Sequence, residues 1–169
     1  DWIRSVIQSR RQRADDGLSA IARGWEECRL ASVAAVGEIA TTDESLEILS
    51  AHGGAGVVFR EVLGLQPESI ESGLEIARRY LQACSTETSM ELTVPSLRRG
   101  LSPHAPYSLH PRLFRGLIDL AARSGAPVAM HLAETREELE LLSQHSGGLV
   151  DLLRSLGLWR AEAFREFRR

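Results

Sequence analysis

Lysine and asparagine are missing altogether, so all 20 basic side chains in the 169 residues are arginines. Without lysine there is no amine for a Schiff base and no P-loop lysine to seat a nucleotide phosphate. Both gaps read as coding bias, because arginine serves equally well on a solvated face. Cysteine is scarce: Cys28 and Cys84 stand far apart and form no C-x-x-C. They exclude a disulfide framework and a cysteine-rich zinc site, and they fit a reducing, cytoplasmic setting. No apolar stretch approaches the roughly 18 residues of a membrane span, and the opening residues show no signal-peptide pattern. Neither sign of charge dominates. The 23 acidic residues leave a net charge of −3, too balanced to suggest nucleic acid or a membrane surface as partner.

What remains is ordinary globular composition, 43% apolar and 25% charged, in a length suited to one domain. The chain opens Asp1-Trp2-Ile3-Arg4 without methionine, so a processed piece or a segment of a longer product is expected. Periodicity alternates between helix and strand. Leu18, Ile21, Ala22, Trp25 and Cys28 predict an amphipathic helix over 18–30, and the apolar run 32–40 predicts a buried strand. Thr41 and Glu44 form a capping-box pattern, opening a helix that Gly53-Gly54 would stop. A second strand is expected at 57–63. Pro67 then suits the first turn of a helix faced by Ile70, Leu74, Ala77 and Leu81.

After the polar stretch 85–89 a third strand is expected at 97–102. Pro111 starts a helix lined by Leu113, Leu117, Leu120 and Ala121, which Gly125-Ala126-Pro127 breaks before a fourth strand at 127–132. Helices over 137–144 and 149–156 finish the pattern, separated by Gly147-Gly148. Strand starts near 32, 57, 97 and 127 are spaced like βαβ units, so an α/β fold with a parallel sheet buried on both faces is predicted. A doubly wound sheet and part of a β/α barrel both satisfy this pattern.

Parallel sheets keep their chemistry at the carboxyl ends of the strands. Glu38 closes the first strand and Arg60-Glu61 the second. His104 follows the third, and His131 ends the fourth with Glu134 three residues on. Plainer readings stand beside these. Glu38 and Glu61 could equally pair with strand-end arginines, and His104, between two prolines, could simply cap or turn. His-x-x-Glu supplies an imidazole ligand and a carboxylate base, although the spacing alone is a weak signal. His52, His110 and His145 read as helix-end residues, and Arg10-Arg11 and Arg98-Arg99 as solvated pairs.

The segments Gly100-Leu101-Ser102-Pro103-His104-Ala105-Pro106-Tyr107 and Val128-Ala129-Met130-His131-Leu132-Ala133-Glu134-Thr135 resemble the amidohydrolase superfamily. The branch is that of nucleobase and nucleoside deaminases and chlorohydrolases, including the S-adenosylhomocysteine and aminodeoxyfutalosine deaminase type. The resemblance implies a TIM-type (β/α)8 barrel, of which this chain would hold about strands two to five. A full barrel takes about 250 residues. The family's H-x-H pair on strand one, histidine on strand six and aspartate on strand eight find no match. Residues 1–169 are therefore expected to be a fragment of a metal-dependent hydrolase barrel domain.

By the same resemblance, His131 would bind a divalent metal, zinc or iron, in the complete protein, and Glu134 would shuttle protons. His104 would contact substrate, with Glu61 and Arg60 set beside it as further substrate-binding candidates. The implied reaction is hydrolytic deamination of an amino-substituted nitrogen heterocycle, a purine nucleoside or a relative. Release of halide or alkylamine within the same family stays open, as does a non-catalytic α/β domain without a metal site. The expected partner is a small molecule. One imidazole cannot hold a catalytic metal, so the isolated chain is expected to be inactive. The apolar first and last strands of a four-strand arc would be unpaired on their outer flanks, and self-association or a partly molten state is expected.

Overall fold

The alternation of helical and strand periods folds as successive β/α units in a computed structural model that describes Ser5, residues 17–83 and residues 97–166. Cys84, Arg10-Arg11 and the polar stretch 85–89 lie outside the described residues. Helix α1 (Gly17–Leu30) leads into strand β1 (Val36–Ala40), helix α2 (Glu44–Ala51) and strand β2 (Gly56–Val62). Helix α3 (Ser69–Gln82), strand β3 (Leu97–Pro103), a 3-10 turn (Pro106–Ser108) and helix α4 (Pro111–Ser124) follow. Three short helices close the described chain: α5 (Arg136–Gln144), α6 (Gly148–Ser155) and α7 (Ala161–Glu166), the last not predicted.

The strands form one parallel sheet in the order β1-β2-β3. Its register sets Glu38 beside Val58 and Glu61 beside Ser102. Alternation along β2 decides which face each residue serves. Val58 and Val62 are buried among the helices, Val58 with Trp25 and Leu49, Val62 with Ala77, Tyr80, Leu101, Leu113 and Leu117. Arg60 shares their side of the strand. Val57, Phe59 and Glu61 take the other, which in a barrel is the interior.

Three local expectations need correction. The first strand begins four residues late, because the start of the apolar run terminates α1 instead. Val33 N–H bonds to Cys28 O and Ser32 N–H to Arg29 O, both at 3.0 Å, with Ser32 left-handed at φ 62°. These bonds satisfy helix-end carbonyls that would otherwise be left unpaired. The Thr41–Glu44 capping box does not form. Asp43 holds the N-cap position in αR conformation without a side-chain cap, and Thr42 Oγ1 donates to Glu44 Oε2 at 3.1 Å.

The third correction concerns the fourth strand. Residues 127–132 run parallel beside β3 through a single bridge, Leu101 to Val128, rather than as a full strand. Leu101 N–H donates to Pro127 O (3.0 Å), Ala129 N–H to Leu101 O (3.1 Å) and His131 N–H to His104 O (2.9 Å). The segment thus lies where the fourth strand was expected, and Ala133 at φ 58° turns it away toward α5. Among the described residues no helix is long and apolar enough to cross a membrane.

The predicted helix ends fare better. Gly54 N–H closes α2 on Leu49 O at 2.7 Å, and His110 caps α4, its Nδ1 accepting from Arg112 N–H at 3.2 Å. His52 and His145 occupy the C-cap positions of α2 and α5.

Candidate functional site

Glu61, His104 and His131 arrive from three successive units at the carboxyl edge of the sheet. Glu61 Oε1 stands 3.9 Å from His104 Nε2 and 3.8 Å from His131 Nε2. The two imidazoles meet edge to face with ring centres 5.3 Å apart. This proximity follows from the backbone: His131 N–H bonds to His104 O, and His104 N–H to Val62 O at 3.1 Å. Each loop is pinned to the end of the preceding strand, so the side chains converge.

Burial and hydrogen bonding prepare each group. The Glu61 side chain is 10% exposed, and among the described residues its carboxylate meets only these two imidazoles. His104 Nδ1 lies 2.6 Å from Ser108 Oγ, whose own hydroxyl donates to Ala105 O at 3.0 Å. That network assigns the hydrogen to Nδ1 and leaves Nε2 with its lone pair facing Glu61. Burial lowers the pKa of His104 below its ordinary value, and nearby Glu61 only partly offsets it. The neutral imidazole is therefore favoured, with Nε2 an acceptor.

Glu134 lies next to this group, its Oε1 3.7 Å from His131 Nδ1. Tyr107 O–H donates to Glu134 Oε2 at 3.4 Å. Burial, reinforced by the carboxylates of Glu134 and Glu138, pushes the Tyr107 phenol up to about 12, so it remains a donor. A further residue holds the backbone. Glu138, fully buried, accepts Glu134 N–H on Oε2 at 2.9 Å, while its own N–H bonds to Thr135 Oγ1 at 3.1 Å. Tyr107, Ser108 and Glu138 received no role from sequence. The signal for Glu138 was present as a Thr-x-x-Glu cap before an apolar-periodic helix.

Two residues from the sequence reading are not brought to this group. Arg60 turns to the helix side, where Nε lies 3.0 Å from Asp43 Oδ1 and Nη1 bonds the carbonyl of Thr41. Strand alternation makes this unavoidable once Glu61 faces the other way. Among the described residues Glu38 pairs with no arginine; its Oε1 accepts from Ser45 Oγ at 3.1 Å.

The donor set suits a metal of the borderline class. Two imidazoles and one carboxylate match the ligand chemistry of zinc and iron rather than that of magnesium or calcium. Glu61, His104 and His131 each offer one ligand atom, and the three lie within 4.8 Å of one another. Ser102 Oγ, buried without a hydrogen-bond partner among the described residues, lies beside Glu61 in the register. The residues present therefore fit a divalent ion.

No family model matches the chain. It is 34% identical over 151 residues to an aminodeoxyfutalosine deaminase of Deinococcus radiodurans, covering 89% of this chain and 34% of that protein. A 5-methylthioadenosine/S-adenosylhomocysteine deaminase of Carboxydothermus hydrogenoformans is 27% identical over 121 residues, covering 71% of this chain and 27% of its own length. Among solved structures, Helicobacter pylori aminofutalosine deaminase superimposes with a TM-score of 0.67 at 24% identity, covering 81% of this chain and 33% of that one. That likeness shows a shared fold. The chain spans about a third of the length of the relatives it matches. By sequence likeness and by its arc of parallel β/α units, the chain is similar to about a third of these deaminases.

Proposed function

We propose that this chain is part of the active site of a metal-dependent deaminase that hydrolyses the exocyclic amine of an adenosine-derived nucleoside. The observation that carries the reading is the convergence of Glu61, His104, His131 and Glu134 at one edge of the sheet. The substrates named for its relatives, aminodeoxyfutalosine and 5-methylthioadenosine or S-adenosylhomocysteine, support an amine rather than a halide as leaving group. One solved relative is complexed with methylthio-coformycin, a small nucleoside analogue in keeping with such a ligand. Residues 1–169 would then be a segment of the barrel domain.

His131 would be a ligand of the metal, together with groups outside this chain. A divalent ion bound there supplies acidified water, making hydroxide available near neutral pH. Glu134 would take one proton from the attacking water and give it to the ring nitrogen, then carry the hydroxyl proton of the tetrahedral adduct to the departing amine. The new C–O bond forms, the C–N bond breaks and ammonia leaves. Tyr107 and the backbone bond to Glu138 hold Glu134 for these transfers, so the carboxylate does not need to reorganise between them.

His104, neutral with its hydrogen on Nδ1, presents Nε2 as an acceptor to a substrate N–H or hydroxyl. This departs from the usual expectation that a histidine at such a site donates to developing negative charge. Glu61, an acceptor only while ionised, suits the same kind of substrate donor. Arg60 braces the ends of β1 and β2 and takes no part in binding.

Ammonia release by the complete protein that carries this segment tests the reading. Aminodeoxyfutalosine, 5-methylthioadenosine and S-adenosylhomocysteine are the substrates to compare. Glu134→Gln should lower kcat by about 10²–10⁴-fold with KM little changed, as expected for loss of a proton shuttle. His131→Ala should abolish turnover. Unaltered kcat in Glu134→Gln would sink the assignment.

A further inference from the structure

We infer that a cleft between α3 and the helix side of the sheet, lined by Arg60, Arg79, Tyr80 and Arg99, binds a phosphate dianion. It lies on the opposite face of the strands from Glu61, and the inference does not rest on the deaminase reading. Register and alternation place it there. Val58 pairs with Arg99 and Leu101 with Arg60, and both apolar partners are buried among the helices, so both arginines turn to that layer. Arg79 and Tyr80 reach the cleft from α3, with Ile76 one turn earlier, and its volume is about 330 Å³. The sequence reading of Arg98-Arg99 as a solvated pair holds for Arg98 alone. Arg98 is exposed and reaches Gly125 O at 3.4 Å, whereas Arg99 is partly buried.

Charge in the cleft is not balanced. Three guanidiniums line it with one carboxylate among the described residues, Asp43, and that one is taken: Arg60 Nε stands 3.0 Å from its Oδ1. Arg60 also bonds the Thr41 carbonyl, so it keeps its bracing role and adds only its charge to the cleft. Arg79 lies 3.9 Å from Glu75 Oε1, a carboxylate that Arg78 already holds at 3.2 Å. Arg99 meets no carboxylate among the described residues. Its Nη1 donates to Tyr80 O at 3.0 Å, and its guanidinium lies over the Tyr80 ring, 4.9 Å from the centre. Tyr80 is itself fixed, its O–H donating to Val58 O at 2.7 Å. A partly buried cation without a counterion carries a desolvation cost that a bound anion offsets.

The donors narrow the ligand. Stacking on Tyr80 and the bond to its carbonyl lock the plane of Arg99 and use one N–H, leaving other N–H groups preset for two oxygens. A planar fork of this kind matches phosphate oxygens, where a lysine would offer only a point charge. Arg79, on the exposed surface of α3, can close on the same anion from the other side. Two uncompensated charges favour a dianion over a single carboxylate. The cleft is larger than one phosphate group, and Ile76 gives it an apolar wall, so free phosphate and the phosphate of a small monoester both fit.

Inorganic phosphate and phenyl phosphate are the probes, titrated into the complete protein that carries this segment, with potassium chloride at matched ionic strength as control. Calorimetry should show one equivalent bound saturably. The side-chain N–H resonance of Arg99 should shift in the unsubstituted protein, a readout that needs no variant to fold. Tighter binding of phenyl phosphate would support a monoester as the ligand, and tighter binding of phosphate the free anion. Arg99→Gln should weaken binding by about tenfold or more, and Arg99→Lys should restore only part of it, for want of the fork. Arg79→Gln, at an exposed position, should weaken it about twofold to fivefold. Absence of saturable binding, a response that chloride reproduces, or an Arg99 resonance unmoved by phosphate would each overturn the inference. So would undiminished binding in Arg99→Gln. None of these measurements uses turnover, so the deaminase reading is decided separately by the kcat of Glu134→Gln.

Discussion

Glu134 and Glu138, four residues apart across the start of α5, show how differently burial can treat the same side chain. Glu134 is exposed beside His131, where the proposed reaction needs a proton carrier. Glu138 is fully buried, with one oxygen on Glu134 N–H and the other without a partner among the described residues. Tyr80 is a residue of the second kind. It is 2% exposed, its O–H donates to Val58 O at 2.7 Å, and the Arg99 guanidinium lies 4.9 Å from the ring centre. Burial pushes its phenol from the usual 10.0 up to about 12. The unfolded chain releases this proton first, so the stability it contributes is whole below pH 10 and is lost as pH rises toward 12. Tyr107 acts in the same direction. Melting temperature should therefore fall across that window, and less steeply in Tyr80→Phe. Equal slopes in the two proteins would refute the linkage.

At the scale of elements, close approach between neighbours depends on missing side chains. Gly100 in β3 admits the Phe59 ring from β2 and the carbonyl of Pro127 from the fourth segment. A Cβ there would stand 2.6 Å from Phe59 Cδ1 and 2.9 Å from Pro127 O. The second contact is backbone and cannot rotate aside. Gly100→Ala should destabilise the chain by about 1–3 kcal/mol, the ordinary cost of overpacking, measurable by urea denaturation. The same substitution should loosen Leu101 N–H from Pro127 O and so raise hydrogen exchange there. An unchanged denaturation midpoint would mean that the fourth segment is not held against β3. Helix faces and helix ends were largely legible beforehand, since Leu113, Leu117 and Ala121 are buried as their spacing requires. The start of β1 was not legible. An apolar run does not announce how many of its residues will be used to close the preceding helix.

The whole molecule is an arc whose flanks are open among the described residues. β1 pairs on one side only, and the fourth segment meets β3 through a single bridge. Val33, Val128 and Leu132 are 40%, 40% and 65% exposed, at or near those flanks. Apolar exposure beside unpaired strand edges favours association between copies. Light scattering of the 169-residue chain should give a mass that rises with concentration, with binding of a dye specific for apolar surface. A concentration-independent monomer without dye binding would show that the arc protects its own edges.

Sequence by itself determined the succession of β/α units, the faces of the helices and the placement of His104, His131 and Glu134 at strand ends. These are local matters of period, turn residues and short motifs. It also set Arg60 and Glu61 on opposite faces, because adjacent strand residues always point apart. Which of the two would face the histidines was decided only by tertiary structure. Val58 and Val62 share their parity with Arg60 and are buried against the helices, which carries Arg60 to Asp43 and turns Glu61 inward. The convergence of Glu61 with two imidazoles depends likewise on strand register and on backbone bonds between residues far apart in the chain. Such pairings are long-range, and no local pattern encodes them.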